Sequence, residues 1–507
     1  MPKNIVICSD GTGNSAIKDR GTNVFKLYEA VDLGGGGQIA FYDDGVGTEG
    51  FKPLKLLGGA AGLGLSRNVR ELYAALVRVY GPGDRIFLFG FSRGAFTVRT
   101  LADFIVTCGI LDRRKFHTDH GLRARVKRAY RQVYRRKYQA KIPKIFSAPF
   151  SEEDAEDFRR KRGVSDPVHA PSGRIPIAFV GVWDTVDAVG FPVDDVADRF
   201  NDWIHQFKFP DRMLSPQVEK GCHAVSIDDE RHTFHPVMWD ERGEDKENPR
   251  IEQVWFAGVH ANVGGGYPKQ GMSLVPLDWM MAHAGAAGLR FLDADWKLIR
   301  EHRNVHDKLY NSRAGLSAYY HYRPRDIAGL CRGHGVTPKI HASALERIAQ
   351  GTEGYAPGNI PGGLRIVETR GTGRNLPAAE AAIRAALPNG NAPLDRVRGQ
   401  VSQREWNQTF TIAFTLAAAC GIVFLGSEQR TLGGLLSGFL SLVFSADIPG
   451  LLALLGRSLA RRPAWTAALV ALPLAFYGVG RRIQGRMDRA YSEFWFRLAP
   501  GLRKLLC

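Results

Sequence analysis

Short uninterrupted apolar runs alternate with amphipathic stretches through the first half of the chain. Ile5–Cys8 is one such run and ends in Ser-Asp-Gly-Thr-Gly, the pattern of a buried strand meeting a tight loop. Asn23–Val31 has helical spacing, and Ile39–Asp43 reads as a second strand. The glycine-rich stretch from Gly58 opens a helical pattern from about Asn68 to Tyr80, which Gly81-Pro-Gly-Asp84 ends. Arg85–Phe89, Ile175–Val182 and Val254–Val259 are further apolar strands, with a helix over Ala95–Ile105 after the first of them. Apolar strands separated by helices predict an α/β fold whose mostly parallel sheet is covered by helices on both faces.

Two regions break the alternation. Arg113–Lys141 is strongly basic and begins a helical insertion near residues 113–165, with Tyr130, Tyr134 and Tyr138 at i, i+4 spacing. The first reading is a solvated helix with its tyrosines packed inward; a helix facing lipid headgroups is the second. No nucleic-acid-binding motif accompanies the charge, so nucleic acid is not expected as a partner. Residues 291–400 read as a helical and irregular accessory region, with Ala378–Leu387 its clearest helix. These divisions make residues 1–290 the α/β unit.

From Thr409 the pattern changes. Thr409–Gly426 carries no charge and is just long enough to span ~30 Å of hydrocarbon at 1.5 Å per residue. Pro463–Gly480 is again uncharged, between Arg461-Arg462 and Arg481-Arg482. Leu432–Gly456 is long enough but contains Asp447 and Pro449, so a broken or re-entrant segment is expected there. Residues 409–480 are thus expected in a membrane, as two or three spans. Phe494-Trp-Phe496 and Arg503-Lys504 make 481–507 read as a basic, aromatic interfacial tail.

Composition sharpens this picture in three ways. At 507 residues the chain exceeds what one core usually holds. A net charge of +17 suits anionic headgroups as partners. The six cysteines lack CxxC spacing, which argues against a disulfide framework or a zinc module and for a reducing compartment. The start has too short an apolar stretch for a signal peptide, so the expected setting is a bacterial inner membrane with the large domain in the cytoplasm.

The sharpest chemical signal is Gly90-Phe-Ser92-Arg-Gly94, directly after the strand Arg85–Phe89. A Gly-x-Ser-x-Gly between strand and helix is a nucleophile elbow, whose turn leaves no room for side chains at Gly90 and Gly94. It makes the fold α/β-hydrolase-like and Ser92 the candidate nucleophile. A serine hydroxyl needs a base that is itself oriented by an acid, expected in the chain order Ser, Asp or Glu, then His. Asp184, with Asp187 as its rival, follows the strand Ile175–Val182; His260 follows Val254–Val259, with His235 a weaker candidate. The oxyanion donors expected are the Arg93 amide and, from the loop after the first strand, Gly11 and Thr12. No metal or organic cofactor is needed by such chemistry.

Several segments together resemble the DUF2235 family, which includes phospholipase effectors of type VI secretion. They are Ser9-Asp-Gly-Thr-Gly-Asn14, Thr22-Asn-Val-Phe25, Tyr42-Asp-Asp-Gly-Val-Gly47 and Gly83 to Phe96. Gly181-Val-Trp-Asp-Thr-Val186, Asp229-Glu-Arg231 and Trp255 to Tyr267 complete the set, in order over roughly residues 3–285. The resemblance implies an α/β-hydrolase fold, a triad of Ser92, Asp184 and His260, and activity on phospholipid acyl esters. The expected function is a membrane-anchored serine hydrolase, a phospholipase or lysophospholipase working through an acyl-enzyme. A thioesterase or small-ester hydrolase on the same triad, and a membrane scaffold without turnover, are the alternatives.

Overall fold

The computed structural model describes residues 2–11, 21–45, 60–134, 177–186, 212–371, 373–426 and 448–506. Among these, eight strands form one sheet: β1 (Asn4–Ser9), β2 (Gln38–Asp43), β3 (Arg85–Phe91), β4 (Ile177–Trp183), β5 (Gly221–Ser226), β6 (Ile251–Phe256), β7 (Lys339–His341) and β8 (Arg365–Val367). Their order is β2-β1-β3-β4-β5-β6-β7-β8 and every neighbouring pair is parallel. The chain leaves β1 toward β2 on one side and returns to β3 on the other. The loops after β1 and β3 therefore diverge, opening a crevice at the carboxyl edge where doubly wound sheets bind ligands.

The two-residue period of a strand sorts the core. Ile5, Ile7, Ile86 and Leu88 face one side with Val98, Leu101 and Phe104, while Val6, Cys8, Phe87 and Phe89 face the other with Leu27, Met280 and Met281. The first side is covered by α2 (Ala60–Val79), α3 (Arg93–Cys108) and α4 (Asp119–Ala129). The second carries α1 (Asn23–Ala30) and, beyond the short α5 (His260–Gly264), the helix α6 (Gly271–Ala286). Along α4 and the turn after it, Leu122, Val126, Tyr130, Val133 and Tyr134 are buried, so those two tyrosines pack inward; Tyr138 lies outside the described residues.

The sheet does not end near residue 290. After α7 (Asp293–His302) and α8 (Ile327–Gly333) come β7 and β8, each only three residues long and too short for a period-two pattern to register. With α9 (Ala342–Gln350) and α10 (Leu376–Ala386) they extend the same core, to which Ile340, Leu345, Ile366 and Ile383 belong.

Three helices close the chain: α11 (Arg398–Gly426), α12 (Ile448–Arg461) and α13 (Pro463–Leu506). α11 and α13 run antiparallel: a Cβ on Gly421 would lie 2.6 Å from Leu469, and one on Gly480 would lie 2.4 Å from Asn407 and 3.0 Å from Arg404. Both are long and apolar enough to cross a membrane, yet only 22% and 11% of their most apolar windows are buried. Trp465, Leu474, Tyr477 and Phe424 stand exposed along them. A helix packed in a soluble core would hide those residues. α12, 14 residues long, starts inside Leu432–Gly456 and runs past its end to Arg461, and residues 427–447 lie outside the described part. The second half of α13 is not an interfacial tail. Trp495, Leu502 and Leu506 are at most 2% exposed and belong to the main core, and Trp495 Nε1 donates to the Pro357 carbonyl at 2.7 Å. The apolar spacing there serves docking on the α/β unit.

Candidate active site

The geometry begins with two glycines. A Cβ on Gly90 would lie 2.5 Å from the Gly94 carbonyl oxygen, and one on Gly94 would lie 2.1 Å from that of Ser9. Strand β3 can therefore turn into α3 only with hydrogen at both positions, and the turn holds Ser92 at φ 57°, ψ −121°. A non-glycine residue there is strained, and such strain collects at functional sites. The Ser92 amide donates to the Trp183 carbonyl at 3.1 Å, tying the elbow to the end of β4.

Asp184 follows Trp183 and also has a positive φ, 39°. Its carboxylate is fully buried and accepts five hydrogen bonds. Oδ1 takes the Ser226 amide at 2.9 Å and Arg325 Nη1 at 2.7 Å. Oδ2 takes Ser226 Oγ at 3.2 Å, Arg325 Nη2 at 2.9 Å and His260 Nδ1 at 2.6 Å. Burial by itself would raise the Asp184 pKa; the Arg325 guanidinium and the His260 hydrogen bond reverse this and hold it well below the usual carboxylate range. The segment beyond it is fixed by His223, whose Nε2 accepts the Thr185 amide at 3.1 Å. Burial pushes His223 down to about 3, so it is a neutral acceptor.

His260 opens α5. Its amide donates to Asp229 Oδ2 at 3.2 Å, and Asp229 is held in turn by Arg231 at 2.7 Å. Its ring lies between Phe91, with centroids 4.6 Å apart, and Phe234, at 5.0 Å. Phe91 immediately precedes Ser92, so the imidazole and the elbow are neighbours. With Nδ1 donating to Asp184, the neutral ring leaves Nε2 as its acceptor. Burial lowers the His260 pKa, against the upward pull of Asp184. Among the described residues no hydrogen bond joins Ser92 Oγ to His260 Nε2. Such bonds commonly tighten only when substrate is bound.

The remaining candidates divide. The Arg93 amide is the first of α3 and has no partner within the helix. The Gly11 amide is engaged: it donates to Asp10 Oδ1 at 2.6 Å, while Asp10 Oδ2 accepts Tyr42 OH at 2.7 Å. Thr12 and Asp187 lie outside the described residues. His235 is turned to other work, with Nε2 against the Arg323 carbonyl at 3.0 Å.

Sequence reasoning missed Arg325. It is fully buried and reaches Asp184 from a loop 141 residues later in the chain, also donating to the Ser226 carbonyl at 2.6 Å. One arginine in the polar segment Tyr322-Arg-Pro-Arg325 carries no local signal among 68 basic residues.

An uncharacterized protein of Saccharomyces cerevisiae is 30% identical over 253 residues, covering 47% of this chain and 33% of the yeast protein. The chain thus spans a third of that relative's length. The crystal structure of an uncharacterized protein from Pseudomonas aeruginosa aligns with a TM-score of 0.33 at 17% identity, over 89% of this chain and 63% of that one. Residues 3–283, more than half of the chain, match the type VI secretion system phospholipase effector Tle1-like catalytic domain. They contain β1 to β6, the elbow, Asp184 and His260, and the chain therefore belongs to the Tle1-like phospholipase effector family.

Proposed function

We propose that the chain is a membrane-anchored serine ester hydrolase acting on phospholipid or lysophospholipid acyl esters. The observation that carries this reading is the 2.6 Å contact of His260 Nδ1 with the buried Asp184, beside the strained Ser92. Family membership supports a phospholipase-type reaction.

In this mechanism His260 Nε2 takes the Ser92 proton as Oγ attacks the acyl carbonyl. Asp184 holds the imidazole in the productive tautomer and offsets the charge it gains. The Arg93 amide stabilises the oxyanion, and the second donor comes from the Gly11–Thr12 loop once Asp10 releases the Gly11 amide. Collapse of the tetrahedral intermediate expels the lysolipid alcohol, protonated by His260, and leaves an acyl-serine. Water activated by the same histidine then frees the fatty acid. Arg325 acts through Asp184 as a positioning residue.

Anchoring rests on α11 and α13, whose charged ends return to the α/β unit together. A hairpin of two spans keeps Arg481, Arg482, Arg486 and Arg489 on the side of the large domain, the cytoplasmic side by the positive-inside tendency.

The test is labelling of the detergent-solubilised chain with a fluorophosphonate, comparing the wild type with Ser92→Ala and His260→Ala. Labelling that needs both residues supports the triad, and product analysis on phospholipids, lysophospholipids and thioesters then sets the substrate. Folded wild type that takes no label would sink the serine mechanism and favour a scaffold without turnover.

A further inference from the structure

A cavity of about 880 Å³ lies between the α/β unit and one face each of α11 and α13. Neither Ser92 nor His260 lines it. Arg325, which grips Asp184, forms part of its wall. Arg404 and Arg481 line it at the level where both helices leave their apolar stretches, since Gly480 packs directly against Arg404. From Arg404 the slot follows α11 through Gln408 and Thr411 to Thr415, roughly 16 Å at 1.5 Å per residue. On the α13 side it passes Tyr477 and Leu474, both more than half exposed. One end therefore gathers Arg313, Arg404 and Arg481 with the carboxyl groups of Glu230 and Asp488, and the other runs beside apolar helix surface.

Two of the cations at the first end are short of anionic partners. Arg313 and Arg404 flank the Tyr322 ring at 5.0 and 5.1 Å. Both donate to the same neutral oxygen, Gln408 Oε1, at 2.8 and 3.1 Å. Arg404 is 8% exposed, and the Nε of each guanidinium is buried without an acceptor. Among the described residues neither has a carboxylate within ion-pairing distance. Arg313 donates besides to the Ala318 carbonyl at 3.3 Å, yet a buried Arg404 and a half-buried Arg313 sharing one amide oxygen are incompletely satisfied, because each fork can donate to several anionic oxygens. Glu230 also lines the cavity; burial pushes its pKa up to about 7, against the pull of Arg313, so near neutral pH it offsets only part of the positive charge.

We infer that this cavity binds the phosphate of a glycerophospholipid between Arg313 and Arg404, with the lipid's acyl chains lying along Leu474 and Thr415. It is a lipid site separate from the reacting ester. The slot's depth and its apolar end fit a lipid phosphate better than a free ion, and the inference rests on the reading of α11 and α13 as membrane spans. Because Arg325 is shared between the cavity wall and Asp184, an occupied site would also stiffen the acid that orients His260.

The experiment uses the full chain carrying Ser92→Ala, solubilised in dodecylmaltoside, and counts radiolabelled dioleoylphosphatidylglycerol retained after washing. Adding Arg313→Gln and Arg404→Gln should cut retention by roughly tenfold or more, the loss of two charge-assisted contacts. Glu230→Gln should raise retention at pH 8, and it decides the matter should the double variant fail to fold. Fluorophosphonate labelling of the double variant with Ser92 restored reports folding. Equal retention by the folded double variant, or a fall in Glu230→Gln, overturns the site. Equal retention of dioleoylglycerol shows an apolar slot without phosphate recognition, and displacement by inorganic phosphate at matching concentration shows a free-anion site; either overturns the proposal. Extraction of native membranes with alkaline carbonate tests the membrane reading by itself.

Discussion

At the scale of single residues, the electrostatics of Asp184 is the central feature. A buried carboxylate is tolerable only when paired, and here Arg325 and His260 share it. Arg325→Met should destabilise the folded chain by about 3–5 kcal/mol, because it strands a buried charge. Denaturant titration monitored by tryptophan fluorescence measures this; a loss under ~1 kcal/mol would mean that Asp184 has other adequate partners. The depressed pKa of Asp184 carries a definite sign. Its contribution to stability is fully present above the unfolded carboxylate value near ~3.9 and is lost only as pH falls through the lower folded value. His260 is displaced downward too, so the proposed base stays neutral below the usual imidazole value. The acidic limb of kcat/KM should accordingly break below pH ~6.5, and a break clearly above it would remove His260 as the base.

At the scale of elements, the elbow is a steric device. Gly94→Ala should cost at least ~1–3 kcal/mol, since its methyl would meet the Ser9 carbonyl and the turn has no slack. Gly485→Ala, in mid-helix with open space around it, should instead be neutral or stabilise by up to ~1 kcal/mol. Melting temperatures of the pair give the comparison, and a Gly94→Ala chain as stable as the parent would refute the tight turn. The same elements explain what could be read from sequence. β1, β3 and β4 are unbroken apolar runs, and the elbow and Asp184 sit at their ends. β5 begins with Gly221 and carries His223, so its composition does not announce a strand although it is fully buried. β6 stops at Phe256, leaving Ala257–Val259 to carry the chain to His260. Arg325 escaped because its meaning lies wholly in a contact made across the fold. The engagement of Gly11 by Asp10 is likewise a matter of conformation, invisible in Asp-Gly-Thr-Gly.

At the scale of the whole molecule, the last helix is part of the core of the α/β unit. Met487, Trp495, Leu502 and Leu506 are buried, three of them in the main core. Each such side chain is worth ~1.5–3 kcal/mol of burial, so truncation after residue 486 removes a large share of the net stability. The truncated chain should be protease-sensitive throughout, as limited proteolysis would reveal; a resistant fragment ending before residue 486 would contradict this. The intact helix is a single element of 44 residues, Pro463–Leu506, roughly 66 Å long at 1.5 Å per residue. One end is apolar and exposed, and the other is packed beside α9 and α10. With the proposed anchoring, this couples the reaction centre to the bilayer as a mast rather than a leash. Its encounters with substrate would be confined to two dimensions at fixed height. Turnover would then follow the mole fraction of substrate in the surrounding leaflet, and diluting that lipid with an inert one would slow the enzyme even at constant total lipid.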